Sequence, residues 1–200
     1  MKKIVAGVDE VGRGSLIGPV YAAAVILKRN IDKSKIKDSK KLTKKNREIL
    51  EKYIKKNSYW SIGSASLKEI EKLNILNASL LAMKRAIKKL RKKPSYVLID
   101  GNKIPEIKNY KFKCIVKGDE KIPQISAASI IAKVTRDRFV KKLSKKFTKY
   151  AWDKNAGYGT KLHLKAIKKF GVTIYHRKKF SPIHNLSLIH ISEPTRHASI

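Results

Sequence analysis

Short apolar runs, separated by glycines and charged residues, dominate the first two thirds of the chain. Each run has the length of a buried β-strand rather than of a helix. The runs are KIVAGV, IGPVYAAAVIL, YWSIGSAS, SYVLIDG and FKCIVKGD, at residues 3–8, 17–27, 59–66, 95–101 and 112–119. This pattern predicts a sheet whose strands are distributed over most of the sequence.

Other segments place apolar residues three or four positions apart, which is typical of amphipathic helices. They lie at residues 44–56, 77–90, 126–147 and 160–171. Thr43 and Thr160 precede the first and last of them as N-caps, and Gly171 follows the last helix. Strands come first, then alternate with helices, and helices dominate the end. We therefore predict an α/β fold, with one sheet covered by helices, in a single domain.

Lysine dominates the polar positions. The chain has 48 Lys and Arg against 15 Asp and Glu, which gives a formal net charge of +33. Such self-repulsion is tolerable when the partner is a polyanion, and nucleic-acid phosphates are the first choice. A lysine-biased genome would also produce part of the excess, so the charge supports this partner without proving it.

The apolar runs also limit the location of the protein. None approaches the roughly 20 apolar residues that a membrane span needs, and charge interrupts the N-terminal run before a signal peptide is complete. We expect a cytoplasmic protein with no membrane partner. The single cysteine, Cys114, excludes an intrachain disulfide and a cysteine metal cluster.

Most of the acidic residues lie among lysines on predicted helices or in polar loops. Those on helices are most simply solvated partners of lysines three or four residues away. They are Glu48, Glu51, Glu69, Glu71 and Asp137. These acids need no further explanation than local charge balance.

A second group of acids lies at or just beyond the ends of apolar strands. It comprises Asp9, Glu10, Asp100, Asp119 and Glu120. A carboxylate at the end of a buried strand is costly unless it is paired or metal-bound, and ligands collect at the carboxyl ends of strands in open α/β sheets. A nearby lysine would explain any one of them, but the same ending on three strands favours a site for Mg²⁺ or Mn²⁺. Glu120 is the weakest candidate because it lies one residue further into the loop.

Gly12 and Gly14 flank Arg13 directly after the first two of these acids. Glycine permits positive φ angles and lets a ligand approach the backbone closely. Any tight turn uses glycine, but its position beside candidate metal ligands points to substrate binding. The following GSLIGPV has the spacing of neither a Walker loop nor a dinucleotide fingerprint.

Taken in order, the motifs resemble the ribonuclease HII family, the type 2 ribonucleases H, in their bacterial single-subunit form. They are GVDEVGRGSLIGPV, DSKKL, LIDG, KGD, ISAASIIAKVTRD, GYGT and HRKKF. The resemblance covers residues 1–185 as one catalytic domain. It implies a ribonuclease H-like fold, with a central mixed sheet flanked by helices and a helical C-terminal part that helps to hold the substrate.

By motif position, Asp9, Glu10, Asp100 and Asp119 match the four catalytic, metal-binding carboxylates of that family. The resemblance implies two Mg²⁺ or Mn²⁺ ions per active site when substrate is bound. Asp9 would bridge both ions, Glu10 and Asp100 would complete one site, and Asp119 the other. Glu120 has no counterpart among the ligands.

The resemblance also implies the activity. It is an endonuclease that cleaves the RNA strand of RNA–DNA hybrids and cuts at single ribonucleotides embedded in duplex DNA. The products carry 5′-phosphate and 3′-hydroxyl ends, and the role is ribonucleotide removal in DNA replication and repair. Two alternatives stay open: a non-catalytic, basic nucleic-acid-binding protein whose acids balance local lysines, and a type 2 enzyme that prefers longer RNA stretches.

Substrate-binding residues follow from the same motifs. Backbone groups of Gly12, Arg13 and Gly14 would contact the 2′-hydroxyl, the group that distinguishes RNA from DNA. Tyr158 in GYGT would pack on the neighbouring sugar and help to recognise the RNA–DNA junction. Lys40 in DSKKL is a candidate phosphate contact, although a solvated lysine fits its spacing equally well.

Ser129 and Lys133 lie one helical turn apart in ASIIAK. They could both face the substrate backbone. Packing within the protein is the simpler interpretation of their spacing.

The C-terminal segment needs a separate interpretation. LSLIHISEPTR, at residues 186–196, resembles the translation of a transposon-derived adapter used in sequencing libraries. We interpret residues 186–200 as a non-native tail and exclude its histidines and Glu193 from the site. A native C-terminal helix or a sliding-clamp contact would be lost with the replaced segment. We expect the protein to be a monomer.

Overall fold

The computed structural model describes residues 3–36, 42–181 and 183–185. Lys40 and the adapter-like tail lie outside the described residues. The contacts between residues divide the chain into two units. The sheet unit contains the described residues up to Arg13 and Pro19–Arg138. The helical unit contains Gly14–Gly18 and the described residues from Phe139 onward.

A five-stranded mixed sheet forms the frame of the sheet unit, with strand order β3-β2-β1-β4-β5. The strands are β1 (Val5–Val11), β2 (Val20–Leu27), β3 (Ser58–Ala65), β4 (Tyr96–Asp100) and β5 (Phe112–Ile115). β1 is antiparallel to β2, and β2 to β3, whereas β4 is parallel to both β1 and β5. Each strand overlaps one of the apolar runs, so the expected mixed sheet is confirmed. β1 extends past its run to Val11, which places Asp9 and Glu10 inside the strand rather than beyond its end.

The helices are α1 (Lys44–Lys56), α2 (Leu67–Lys88), α3 (Gly118–Lys121), α4 (Pro123–Ser144), α5 (Trp152–Asn155) and α6 (Lys161–Phe170). The predicted N-caps are confirmed, because the side chains of Thr43 and Thr160 accept hydrogen bonds from the backbone three residues on. No helix within the described ranges has the length and apolar character that crossing a bilayer requires.

Helix α2 begins ten residues earlier than the periodicity predicts, at Leu67 rather than Asn77. Ser66 and Glu69 form a reciprocal capping box at its start. Asn74, at φ 66°, then interrupts the helix. This kink breaks the apolar repeat, which explains why only the second half shows a regular pattern.

Glycines allow helices to pack closely on both faces of the sheet. Gly7 pairs with Val25, and Gly63 pairs with Ala22. Side chains alternate between the two faces along a strand, and Val25 and Ala22 are three positions apart in β2. Their partners Gly7 and Gly63 therefore lie on opposite faces of the sheet. A Cβ on Gly7 would lie 2.2 Å from the backbone of Gln124 at the start of α4, and one on Gly63 would lie 2.1 Å from Ala82 in α2. Helix α4 therefore covers one face and α2 the other.

The apolar core of the sheet unit lies between α4 and its face of the sheet. It includes Ala23, Val25, Ile31, Ile36 and Ile54, with residues Ala127, Ala128, Ile130, Ile131, Ala132 and Val134 of α4. The small side chains of β2 and α4 permit the close approach of the helix to the sheet in this layer. The position of α4 is consequently fixed against β1 and β2, where the first two acids lie.

The helical unit has its own core, which is rich in aromatic residues. It comprises Leu16, Ile17, Val140, Leu143, Tyr150, Trp152, Ala166, Ile167 and Ile183. Isolated bridges pair Ser15 with Tyr158 and Ile17 with His176. The segment that follows the glycine turn is thus integrated into the unit that carries GYGT.

Glu51 is not the solvated partner that its helical position predicts. Only 1% of the residue is exposed. Arg138 donates from Nη1 and Nη2 to the two carboxylate oxygens at 2.9 Å each, and Lys55 pairs with the same carboxylate. Although burial acts to raise it, these bonds hold the pKa of Glu51 below its ordinary value. Arg138 is 87 residues away in sequence, so local spacing could not reveal the pair.

Candidate active site

The register of the parallel strands brings acids to one edge of the sheet. Val8 of β1 is opposite Ile99 of β4, so the next residues, Asp9 and Asp100, follow at the same edge. Asp100 is in turn opposite Ile115 of β5. Parallel strands present their carboxyl ends to the same side, and this is where the chain places its carboxylates.

Asp9 lies on the face of the sheet that α4 covers. Its register partner is Ala23, which belongs to the core beneath α4. The residue is 6% exposed, and its Oδ1 accepts a hydrogen bond of 2.7 Å from the backbone N–H of Glu10. The Ser129 hydroxyl of α4 donates to the same carboxylate. Ser129 is therefore a site residue that the sequence interpretation had assigned to packing.

The environment of Asp9 disfavours its charge. Burial raises the pKa of the Asp9 carboxyl well above its ordinary value, and the negative charges of Glu10 and Asp100 raise it further. The hydrogen bonds from Ser129 and from the Glu10 backbone act in the opposite direction but do not compensate. An acid held at such a cost is typical of a functional site.

The carboxyl of Glu10 is subject to opposing effects on its pKa. Burial raises the pKa of its carboxyl, Arg13 opposes that effect, and Asp100 adds to it. The Arg13 Nη1 donates to Glu10 Oε1 at 3.3 Å, and half of the Arg13 side chain is exposed. The side chain of Arg13 thus supports a carboxylate, in addition to the backbone role expected for this residue.

Asp119 lies in the first turn of α3 rather than at the end of β5. Lys117, at φ 55°, turns the chain from the strand into this short helix. The backbone N–H of Gly118 donates to Asp100 Oδ1 at 2.7 Å, which ties the start of α3 to the acid of β4. Asp119 is 6% exposed, whereas Glu120 is exposed.

Within the residues that the structure describes, no three His, Cys, Asp or Glu side chains are arranged, as they stand, to hold a metal ion. The chemistry of the donors nevertheless fits a divalent cation. Carboxylate oxygens are the ligands that Mg²⁺ and Mn²⁺ prefer. The carboxylates of Glu10 and Asp100 both repel the charge on buried Asp9, and a cation among them would relieve that repulsion.

The glycine turn after Glu10 has one position that requires glycine. Gly12 has φ +94°, and a Cβ there would lie 2.6 Å from Nε of Arg136, a residue only 1% exposed. Gly14 does not adopt a left-handed φ, so the expectation of positive φ applies to Gly12 alone. The buried guanidinium beneath Gly12 was not singled out in the sequence.

Tyr158 lies in the helical unit together with Gly14. A Cβ on Gly14 would be 4.0 Å from Cε1 of Tyr158, so the phenol ring lies directly beside this glycine. Tyr158 is half-buried. Its N–H donates to the carbonyl of Asn155 at 2.9 Å. Lys133, the other helical candidate, donates to Asp137 at 2.9 Å.

The mixed sheet, with carboxylates gathered at the carboxyl edge of its parallel strands, defines the ribonuclease H-like class. A family model described as Ribonuclease HII matches residues 6–183. The curated ribonuclease HII of Pelagibacter ubique is 74% identical over 184 residues, covering 92% of this chain and 99% of the relative. The chain belongs to the ribonuclease HII family and is a ribonuclease H hydrolase.

Solved structures support the same class. Ribonuclease H2 from Pyrococcus horikoshii OT3 has a TM-score of 0.79 at 26% identity, over 94% of this chain and 99% of that one. The PCNA:RNase HII complex from Archaeoglobus fulgidus contains a chain with TM-score 0.70 at 25% identity, over 92% and 96%. Bst-RNase HIII in complex with Mn²⁺ shares the fold, with TM-score 0.72 at 18% identity, over 94% and 70%.

Proposed function

We propose that this ribonuclease H cleaves the RNA strand of RNA–DNA hybrids and cuts at single ribonucleotides embedded in duplex DNA. The observation that carries the proposal is the buried Asp9, which lies at one sheet edge with Asp100 and is repelled by it and by Glu10. Family membership excludes the alternative of a non-catalytic nucleic-acid-binding protein. The proposed role is the removal of ribonucleotides during DNA replication and repair.

Asp9, Glu10, Asp100 and Asp119 are the proposed ligands of two divalent cations, Mg²⁺ or Mn²⁺, in the complex with substrate. When bound, the pair of cations supplies an activated water and stabilises the leaving 3′-oxygen of an in-line displacement. No protein nucleophile is required. Water adds to the phosphorus and the bond from phosphorus to the 3′-oxygen breaks, so the products carry 5′-phosphate and 3′-hydroxyl ends.

The surrounding residues keep these carboxylates in place. Ser129 and the Glu10 backbone donate to Asp9, and Gly118 donates to Asp100. Such bonds orient acceptor oxygens before the substrate arrives, which lowers the cost of assembling the site.

Selectivity for RNA is proposed to come from the turn Gly12, Arg13 and Gly14, whose backbone groups contact the 2′-hydroxyl. The absence of a side chain at Gly12 and its left-handed backbone support this role. Tyr158 is proposed to pack on the adjacent sugar at an RNA–DNA junction. Lys40 is proposed as a phosphate contact from its motif alone.

The proposed partners are RNA–DNA hybrids and ribonucleotide-containing duplex DNA, which suit a net charge of +33. We further propose that the protein acts as a monomer in the cytoplasm. The Archaeoglobus fulgidus relative was solved with PCNA. We propose a sliding-clamp contact only for a native C-terminus, because residues 186–196 resemble an adapter translation.

Three duplexes of one sequence test the proposed substrates in Mg²⁺. The first contains one ribonucleotide, the second contains four consecutive ribonucleotides, and the third is all DNA. We expect cleavage of the first two at the ribonucleotides and none of the third. Equal cleavage of the all-DNA duplex would contradict recognition of the 2′-hydroxyl. Cleavage of the second duplex alone would favour the type 2 enzyme that prefers longer RNA.

A further inference from the structure

A hydrogen-bonded group of buried rings lies under GYGT in the helical unit. It consists of Trp152, His163 and His176, of which none is more than 1% exposed. The surrounding core is otherwise mainly apolar. Buried polar rings are costly unless all of their donors and acceptors are satisfied, so each ring nitrogen here needs a hydrogen-bond partner.

The bonds define the tautomer of His163. Trp152 Nε1–H, which can only donate, contacts His163 Nε2 at 2.8 Å, so this nitrogen accepts. The proton of the neutral ring is therefore on Nδ1, which lies 2.9 Å from the carbonyl oxygen of Tyr158 and donates to it.

The hydrogen bonds of His176 also define its tautomer. The backbone N–H of Thr173 donates to His176 Nδ1 at 2.8 Å, so the proton of His176 is on Nε2. This nitrogen is 3.3 Å from His163 Nε2 and donates to it. Burial lowers the pKa of both histidines, in agreement with two neutral rings. All of the bonds thus converge on His163, and its single donor is directed to Tyr158.

The Tyr158 carbonyl is held from two sides. It accepts from His163 Nδ1 and from the backbone N–H of Thr160 at 2.8 Å. The preceding Gly157, at φ +76°, is fixed by its own hydrogen bonds: its N–H donates to Asn155 Oδ1, and its carbonyl accepts from Ser15 Oγ and from Leu16 N. Rotation of the Tyr158 peptide would break these contacts and move the phenol ring away from Gly14.

We infer that His163 is a positioning residue, which sets the orientation of Tyr158 through its backbone carbonyl and thereby the recognition of an RNA–DNA junction. Trp152 and His176 act through His163, because they hold its ring in the tautomer that donates to Tyr158. This inference rests on the proposed substrate role of Tyr158, but the hydrogen bond itself is independent of that role.

Two substitutions separate the bonds of His163. In His163→Asn, the side-chain amide nitrogen takes the place of Nδ1 and keeps the bond to Tyr158. In His163→Gln, the amide takes the place of Nε2, so the contact with Trp152 is kept and the bond to Tyr158 is lost. Both remove the imidazole ring, so each is the matched control for the other.

The first readout is kcat and KM on a duplex with one embedded ribonucleotide and on a uniform RNA–DNA hybrid, which has no junction. For His163→Gln we expect kcat/KM on the junction substrate to fall about 10-fold, mainly through KM, and to change less than about 3-fold on the hybrid. His163→Asn should resemble wild type on both. In a Tyr158→Ala background, His163→Gln should have no further effect, because the two residues act as one unit.

Equal losses on both substrates, or equal losses in the two variants, would overturn the inference.

A second readout does not depend on cleavage: the ¹³C resonance of the Tyr158 carbonyl should shift in His163→Gln and stay in place in His163→Asn. An unmoved resonance in His163→Gln would also overturn it. If wild type cuts neither substrate, the proposed function fails while this resonance still decides the positioning role. If His163→Gln does not fold, Trp152→Phe, which removes the donor to Nε2 together with the second ring of the indole, should shift the same resonance.

Discussion

Asp9 combines burial with two like-charged neighbours, Glu10 and Asp100, in a protein with more than three basic residues for each acidic one. The hydrogen bonds from Ser129 and a backbone N–H offset only part of that cost. Residues held in unfavourable environments concentrate at functional sites, and Asp9 fits this description better than the acids of α1, α2 and α4.

Gly12 is the residue whose substitution the turn should tolerate least. In Gly12→Ala, the new methyl group would lie 2.6 Å from buried Arg136 at a left-handed φ. We expect a loss of about 1–3 kcal/mol in the free energy of unfolding, measured by urea denaturation.

Gly14→Ala is the matched control for that substitution. Its methyl group would meet its nearest neighbour, Tyr158, at 4.0 Å, an ordinary contact distance. The free energy of unfolding should therefore change by less than about 1 kcal/mol. Equal destabilisation by the two substitutions would contradict the assigned geometry of the turn.

At the scale of elements, the packing of α1 against α4 includes the ion pair between Glu51 and Arg138. Arg138→Met would leave the buried Glu51 carboxylate with Lys55 as its remaining partner among those identified. We expect a destabilisation of about 1–3 kcal/mol, because a buried charge loses two hydrogen bonds. Urea denaturation at pH 7 provides the measurement.

Two further variants test the cause of that loss. Lys35→Met removes the partner of Asp32, which is exposed and 3.8 Å away, so the free energy of unfolding should change far less than in Arg138→Met. Replacing both members of the buried pair, as Glu51→Leu with Arg138→Met, should recover most of the loss. If Arg138→Met had no larger effect than Lys35→Met, the buried pair would contribute nothing to stability.

The strands were predictable because burial on the sheet requires continuous apolar runs, and such runs are local in sequence. The caps Thr43 and Thr160 were equally local. The burial of Glu51 was not predictable, since its partner Arg138 is distant in sequence.

The same reason applies to Ser129 and Asp9: their contact depends on α4 packing over β1, which Gly7 permits. Strand ends identified the acids, but only the strand register shows that Asp9 and Asp100 share an edge.

At the scale of the whole molecule, acid should destabilise the protein through the helical unit. Burial, and then the neighbouring His163, lower the pKa of His176 to about 4 from an ordinary 6.5. Between about pH 6.5 and pH 4, His176 therefore binds a proton in the unfolded chain but not in the folded chain. The free energy of unfolding falls as the pH decreases through this range. The expected loss is of the order of 3 kcal/mol, and it levels off below pH 4.

Trp152 fluorescence in a Trp60→Phe background reports on this change, because Trp152 lies in contact with both histidines. Denaturation curves between pH 7 and pH 4 give the measurement. His184→Gln, which removes an exposed histidine outside the buried group, is the comparison variant. A stability that does not fall over this pH range would contradict the two neutral, buried rings.

The central claim is that the carboxylates around Asp9 form the catalytic centre, and cleavage by Asp9→Asn tests it most directly. The substrate is a duplex with one embedded ribonucleotide in Mg²⁺, and Asp153→Asn is the control because Asp153 is an exposed acid in α5. We predict that Asp9→Asn lowers kcat by at least about 100-fold while duplex binding is retained, and that Asp153→Asn cuts like wild type. Cleavage by Asp9→Asn at the wild-type rate would contradict the account.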